Sequence, residues 1–94
     1  MRRRKVKDPD ARLDYSVDWG PFLASVPGDS IFSAEWVDAG DSLLTIEDEG
    51  VVGNYHACFI SGGALGTTYR ITSRITTTEG RVQDQSFALL IEET

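Results

Sequence analysis

The stretch "TTYRITSRITTTEGRVQDQSFALLI", Thr67 to Ile91, alternates for most of its length. Tyr69, Ile71, Ser73 and Ile75 share one face of an extended chain, and Arg70, Thr72, Arg74 and Thr76 share the other. A period of two is that of a β-strand with one buried face. Thr and Ile reinforce it, because branching at Cβ restricts their rotamers and favours the pleated backbone. "TEGR", Thr78 to Arg81, is then a tight hairpin turn with Gly80 free to take positive φ. The return strand points Phe87, Leu89 and Ile91 inward. The expectation is one long hairpin whose polar face carries Arg70 and Arg74.

The same period recurs upstream. "LDYSVDWG" puts Leu13, Tyr15, Val17 and Trp19 on one face. "GPFLASVPGDS" is a connection, with one helical turn over Phe22 to Ser25 and a turn at Pro27, Gly28 and Asp29. Ser30 to Ala39 is a strand of imperfect alternation, so either both faces are partly covered or a bulge shifts its register. Leu43 to Ile46 is a short strand, and "EDEGVVGN" is an exposed loop or a loose strand end. "NYHACFISGG" is a strand that sets Tyr55, Ala57 and Phe59 opposite His56, Cys58 and Ile60. Short strands with frequent turn signals and no long helix predict a small all-β fold, an antiparallel β-sandwich. Its expected core is Tyr15, Val17, Trp19, Trp36, Tyr55, Phe59, Tyr69, Ile71, Ile75, Phe87 and Leu89.

The chain has 94 residues, enough for one core and one domain. No apolar run approaches the roughly 20 residues that cross a bilayer, and no apolar stretch follows the basic start, so a membrane partner and a cleaved secretion signal are not expected. Charge is segregated. Arg2, Arg3, Arg4, Lys5 and Lys7 crowd the first residues, while the rest sets four arginines against fifteen acids, a balance of −11 within a total of −6. Residues 1–12 are therefore expected to form an extended basic N-terminal arm, and residues 13–94 the sandwich domain. The acidic body should repel nucleic acid. The arm is expected to dock on a protein, with a solvated tail and phosphate contact as the alternatives.

Residues that carry chemistry are scarce. Cys58 is the lone cysteine and is expected to be a small buried side chain. His56 is the lone histidine and is expected on the less buried face of its strand, with no nucleophile motif near it. Asp38, Asp41, Glu47 and Asp48 are the acids that calcium could use, but the EF-hand pattern is absent and a solvated acidic rim is the preferred reading. "SGGALG" lacks the following helix that a phosphate loop needs. The expectation is no catalytic residue, no cofactor and no metal. What remains is surface: the Arg70 and Arg74 stripe, where guanidinium groups can pair with a partner's carboxylates.

Four blocks of the sequence together resemble a known family. They are "KDPDARLDY" at Lys7 to Tyr15, Asp18 with Trp19, Asp29 to Trp36, and "SGGALGTTYRITSRITTTEGR" at Ser61 to Arg81. The chain resembles the phage fiber-tail adaptor proteins, small structural proteins of tailed bacteriophages, from about Lys7 to Ile91. The resemblance implies an immunoglobulin-like sandwich in the virion, assembled in the host cytoplasm, that links tail fibers to the tail or neck without enzymatic activity or cofactor. It implies other tail, neck or fiber proteins as partners, and several symmetric copies. Arg2, Arg3, Arg4, Lys5, Lys7, Arg70 and Arg74 are the expected partner-binding residues, with the arm on one neighbour and the body on another. Removing Met1 to Lys7 is then expected to spare the fold and weaken incorporation. The alternatives are a capsid decoration or neck protein of the same fold, and a carbohydrate- or ion-binding module using exposed Trp19 or Trp36.

Overall fold

The computed structural model describes residues 4–38 and 43–93. Its strands are β1 (Arg4–Lys7), β2 (Arg12–Asp18), β3 (Ile31–Asp38), β4 (Leu44–Val52), β5 (Tyr55–Gly62), β6 (Thr68–Thr77) and β7 (Val82–Ile91), with a helical turn α1 (Gly20–Ala24) between β2 and β3. One sheet has the order β1-β7-β6-β3 and the other β2-β5-β4. The two face each other as an immunoglobulin-like sandwich. Neighbouring strands are antiparallel except β1, which runs parallel to β7 with Arg4 opposite Ala88 and Lys7 opposite Ile91.

The hairpin of β6 and β7 is the centre of the fold. Tyr69, Ile71, Ser73, Ile75, Phe87, Leu89 and Ile91 are all buried. Gly80 takes φ +88° in the turn, as its position requires. The Thr77 carbonyl accepts the Gly80 N–H at 3.0 Å, and the Thr77 hydroxyl accepts the Arg81 N–H at 3.0 Å. Across the gap, β2 contributes Tyr15 and Val17, and Trp19 follows it into the core with no exposed surface. Pro21 lies in the first turn of α1, where its missing N–H has no partner to lose. It buries Leu23.

Strand β3 carries a bulge, one of the two alternatives its imperfect alternation left open. Ile31 pairs with Thr77 and Ser33 with Thr76, so Phe32 is the extra residue, and it lies 74% exposed while Ile31, Ala34 and Trp36 pack on the core. Strand β4 is longer than expected. It runs through the acidic segment to Val52, and its register shifts between Glu47 and Gly50, where Asp48 takes φ +52°. The bulge lets an edge strand absorb a charged run and continue.

Two expectations are corrected. The inner face of β5 is His56, Cys58 and Ile60, all buried, while Tyr55 is 51% exposed and Phe59 half-buried. The ladder with β2 enforces this: Val17 pairs with His56 and Tyr15 with Cys58, and directly opposed residues share a face. The arm is extended from Arg4, but Arg4–Lys7 joins the sheet as its edge strand β1, and Lys7 is 1% exposed.

Candidate interaction surface

The outer face of the four-stranded sheet is built by the alternate residues of its strands. Arg74 lies between Asp84 on β7 and Glu35 on β3. Its Nε donates to Asp84 Oδ1 at 2.8 Å, its Nη2 to Asp84 Oδ2 at 3.1 Å, and Glu35 Oε1 lies 3.8 Å from Nη1. The hydrogen bond to Asp84 raises the Arg74 pKa, and the Arg74 guanidinium lowers that of Asp84. Arg70 is exposed and makes no ion pair among the described residues. A shallow depression of about 350 Å³ lies beside it, lined by Thr68, Ser86 and Ala88 together with parts of Tyr69 and Phe87. So the expected stripe exists, but Arg74 is already paired and Arg70 is the cation it leaves open.

The arm residues divide. Arg2 and Arg3 lie outside the described residues, as does the Arg4 side chain. The Lys5 ammonium sits 5.9 Å from the Tyr15 ring centroid and 5.8 Å from that of Phe87, and those two rings stack on each other at 5.6 Å. Lys7 is an internal clamp: its Nζ donates to the Asp8 carbonyl at 2.7 Å and the Ala11 carbonyl at 2.8 Å. Burial lowers its pKa, opposed by the charges of Asp8 and Asp10. The Asp10 N–H closes the same turn on Asp8 Oδ1 at 2.8 Å. Removing Met1 to Lys7 would therefore take away a strand and a turn clamp.

Polar chemistry inside the sandwich was missed at the sequence level. Ser73 Oγ accepts the Trp19 indole N–H at 3.0 Å and lies 2.7 Å from His56 Nδ1. The Ser73 oxygen keeps a second lone pair, so it donates to Nδ1 or accepts from it according to the imidazole tautomer. His56 stacks on Trp36 at 4.4 Å, and burial lowers its pKa. The Trp36 indole N–H donates to the Ala57 carbonyl at 3.2 Å. Trp19 is fully buried, so it cannot serve as the exposed stacking surface of a carbohydrate module. Burial, with the Glu49 charge nearby, pushes the Cys58 thiol up to about 12. Of the acids considered for calcium, Glu47 and Asp48 both hold Arg12, whose guanidinium covers the Phe59 ring at 4.2 Å. Asp41 and the Asp38 side chain lie outside the described residues.

The turns that carry the resemblance are structural. Gly62, at φ +75°, has no room for a Cβ because the Leu43 carbonyl oxygen fills that space. Gly63 lies against Ile91, and the Ala64 N–H donates to the Tyr69 hydroxyl at 2.9 Å. Asp29 ties the β2–β3 connection to the β6–β7 turn: Oδ1 accepts from the Thr78 hydroxyl at 2.9 Å and the Glu79 N–H at 3.1 Å, and Oδ2 from Arg81 Nη1 at 2.8 Å. Burial alone would raise the Asp29 pKa, but hydrogen bonds from Thr77, Thr78, Arg81 and Ser30 hold it well below the usual carboxylate range.

Residues 7–90 match the family described as "Podophage GP4 fiber-tail adaptor protein gp77". The chain belongs to this family. Membership in the fiber-tail adaptor family indicates a structural adaptor role in a phage particle. The match begins at the Lys7 clamp and leaves Arg2, Arg3, Arg4 and Lys5 before it. No curated protein matches the sequence. Among solved structures the adaptor is similar to one titled "Solution structure of the PKD domain from KIAA 1837 protein", with TM-score 0.55 and 17% identity over 98% of this chain and 80% of that chain. That likeness is one of fold, the immunoglobulin-like sandwich.

Proposed function

We propose that this adaptor is a non-enzymatic virion protein that links tail fibers to the tail or neck through protein–protein contacts. The family match over residues 7–90 carries this reading. Two of the blocks that carry the resemblance, Lys7 to Tyr15 and Ser61 to Arg81, build turns and core. The sandwich is the rigid body, and its neighbours meet it on surfaces. One such surface is the outer face of the four-stranded sheet, where Arg70 is open and Arg74 is held by Asp84. The other is the start of the chain, where Arg2, Arg3, Arg4 and Lys5 precede the clamp. Repetition by symmetry multiplies modest contacts of this kind.

Electron microscopy of particles made without this gene tests the role. Intact tails without fibers are the expected result. Fibered particles that lack tails or fall apart would move the protein to the neck or head. A shorter truncation tests the basic start: removing only Met1 to Arg3 spares β1 and Lys7, and is expected to keep the fold and weaken incorporation.

A further inference from the structure

The outer face of the β6–β7 hairpin is a ladder of cross-strand pairs. Arg74 stands opposite Asp84, Thr72 opposite Ser86, and Arg70 opposite Ala88. Directly opposed residues are the ones whose side chains meet. The first rung is a two-pronged ion pair, with both Asp84 oxygens on Arg74. The second is a hydroxyl pair, Thr72 Oγ1 to Ser86 Oγ at 2.8 Å. The third is unmatched. Ala88 offers Arg70 no side-chain oxygen, and on its other side Ala88 pairs with Arg4, so across β1, β7 and β6 that rung carries no acid. Among the described residues, Lys7, Arg12, Arg74 and Arg81 each donate to an oxygen of the molecule, and Lys5 lies over two rings. Arg70 is exposed and has no such contact among them.

The unmatched rung is also hollow. Arg70, Ser86 and Ala88 all line the depression of about 350 Å³. A methyl group stands at Ala88 where the ladder has a carboxylate two rungs away, at Asp84. The hydroxyl pair between them holds two protons and spends one on its own hydrogen bond, so one is left to donate to an incoming acceptor. A carboxylate seated over Ala88 meets a guanidinium and a hydroxyl donor together, and the fork of an arginine fixes the direction of the pair.

We infer that Arg70, Ala88 and the Thr72–Ser86 pair form a socket for one acidic side chain, Asp or Glu, of a different virion protein. The incoming carboxylate does for Arg70 what Asp84 does for Arg74. Two copies of this chain, each with a net charge of −6, repel each other at long range, so the acid comes from another protein, on a neutral or basic surround. The socket rests on the adaptor reading and gives one of its contacts a chemistry.

Competition for the particle tests the socket. Wild-type and variant genes are expressed together with gene-deleted phage, and mass spectrometry compares the ratio of the two chains in purified particles with that in the lysate. Arg70→Ala is expected to fall about tenfold or more below its share, the order of effect when one partner of a desolvated charge pair is removed. Arg70→Lys keeps the charge without the fork and is expected to fall between. Ala88→Asp supplies the missing acid from within and fills the socket. It is expected to keep the urea midpoint and to be excluded as strongly as Arg70→Ala. Incorporation of Arg70→Ala, or of a folded Ala88→Asp, at the wild-type ratio overturns the inference. So does self-association of the wild-type protein in solution that Arg70→Ala abolishes, because the acid would then come from a second copy. Gene-deleted particles that lack fibers yet accept Arg70→Ala at the wild-type ratio would refute the socket and leave the adaptor role standing. Fibered gene-deleted particles that exclude Arg70→Ala would do the reverse.

Discussion

His56 Nδ1 lies 2.7 Å from the Ser73 hydroxyl in the middle of the sandwich, and both residues are at most 1% exposed. The same hydroxyl accepts the Trp19 indole N–H at 3.0 Å, so one serine pairs with two aromatic side chains, one just past the end of β2 and one on β5. A polar group sits in this core because the aromatic rings around it bring nitrogen atoms that must be paired.

Ser73→Ala removes that pairing and leaves the indole N–H and His56 Nδ1 without their partner. Each unsatisfied buried group costs about 1–3 kcal/mol, so a loss of roughly 2–4 kcal/mol is expected in urea unfolding. A change near zero would mean the network contributes no stability.

Stability is expected to fall with acid in two windows. Burial lowers the folded pKa of His56 below its ordinary value of 6.5. The unfolded chain then binds the proton first, so stability declines as pH drops below about 6.5 and levels off below the folded pKa. Asp29 and Asp84 have lowered pKa values, so their contribution is present above about 4 and is lost as pH falls through their folded values. Urea midpoints measured from pH 8 to 3 check this. His56→Gln should flatten the upper window and leave the lower one, and superimposable profiles would contradict the assignment.

Lys7→Met keeps most of the buried stem and removes the ammonium that holds the Asp8 and Ala11 carbonyls. Hydrogen bonds from charged groups contribute about 1.5–3 kcal/mol, and a loss in that range is expected. Amide hydrogen exchange should quicken first in β1, the strand next to the opened turn.

Gly62→Ala should be far more damaging than Gly53→Ala. Both glycines have positive φ, at +75° and +61°, so both substitutions carry about 1–2 kcal/mol of left-handed strain. Only at Gly62 does the new Cβ meet a backbone carbonyl, that of Leu43, while nothing lies within 4 Å at Gly53. Thermal midpoints of the two variants, measured side by side, decide it; equal shifts would contradict the close approach.

Cys58 should be inert in the folded protein. Burial raises its pKa to about 12 and leaves it 1% exposed, so the reactive thiolate is scarce and shielded. Thiol labelling at pH 8 is expected only as fast as the protein opens, and labelling should accelerate in Ser73→Ala. Rapid labelling of the native protein would show β5 open to solvent.

The β6–β7 hairpin and the β2 face were legible in the sequence because their information is local: a period of two, apolar groups on one face, and a turn with a glycine where φ is positive. The bulge in β3 left its trace as a broken alternation, for the same reason. Tertiary structure decided β5, where Tyr55, Ala57 and Phe59 alternate with His56, Cys58 and Ile60 and both faces could enter a core. A one-residue slip exchanges such faces, and only the ladder with β2 and the ring of Trp36 against His56 choose between them. Tertiary structure also turned the Lys7 of a basic arm into a buried clamp, because β7 offers an edge for β1 and the Asp8–Ala11 turn offers carbonyls to an ammonium. Of the candidate surface, the residue types of the Arg70 and Arg74 stripe could be read directly. Which of the two arginines is open depended on Asp84 arriving across the hairpin, a distance that no local pattern encodes.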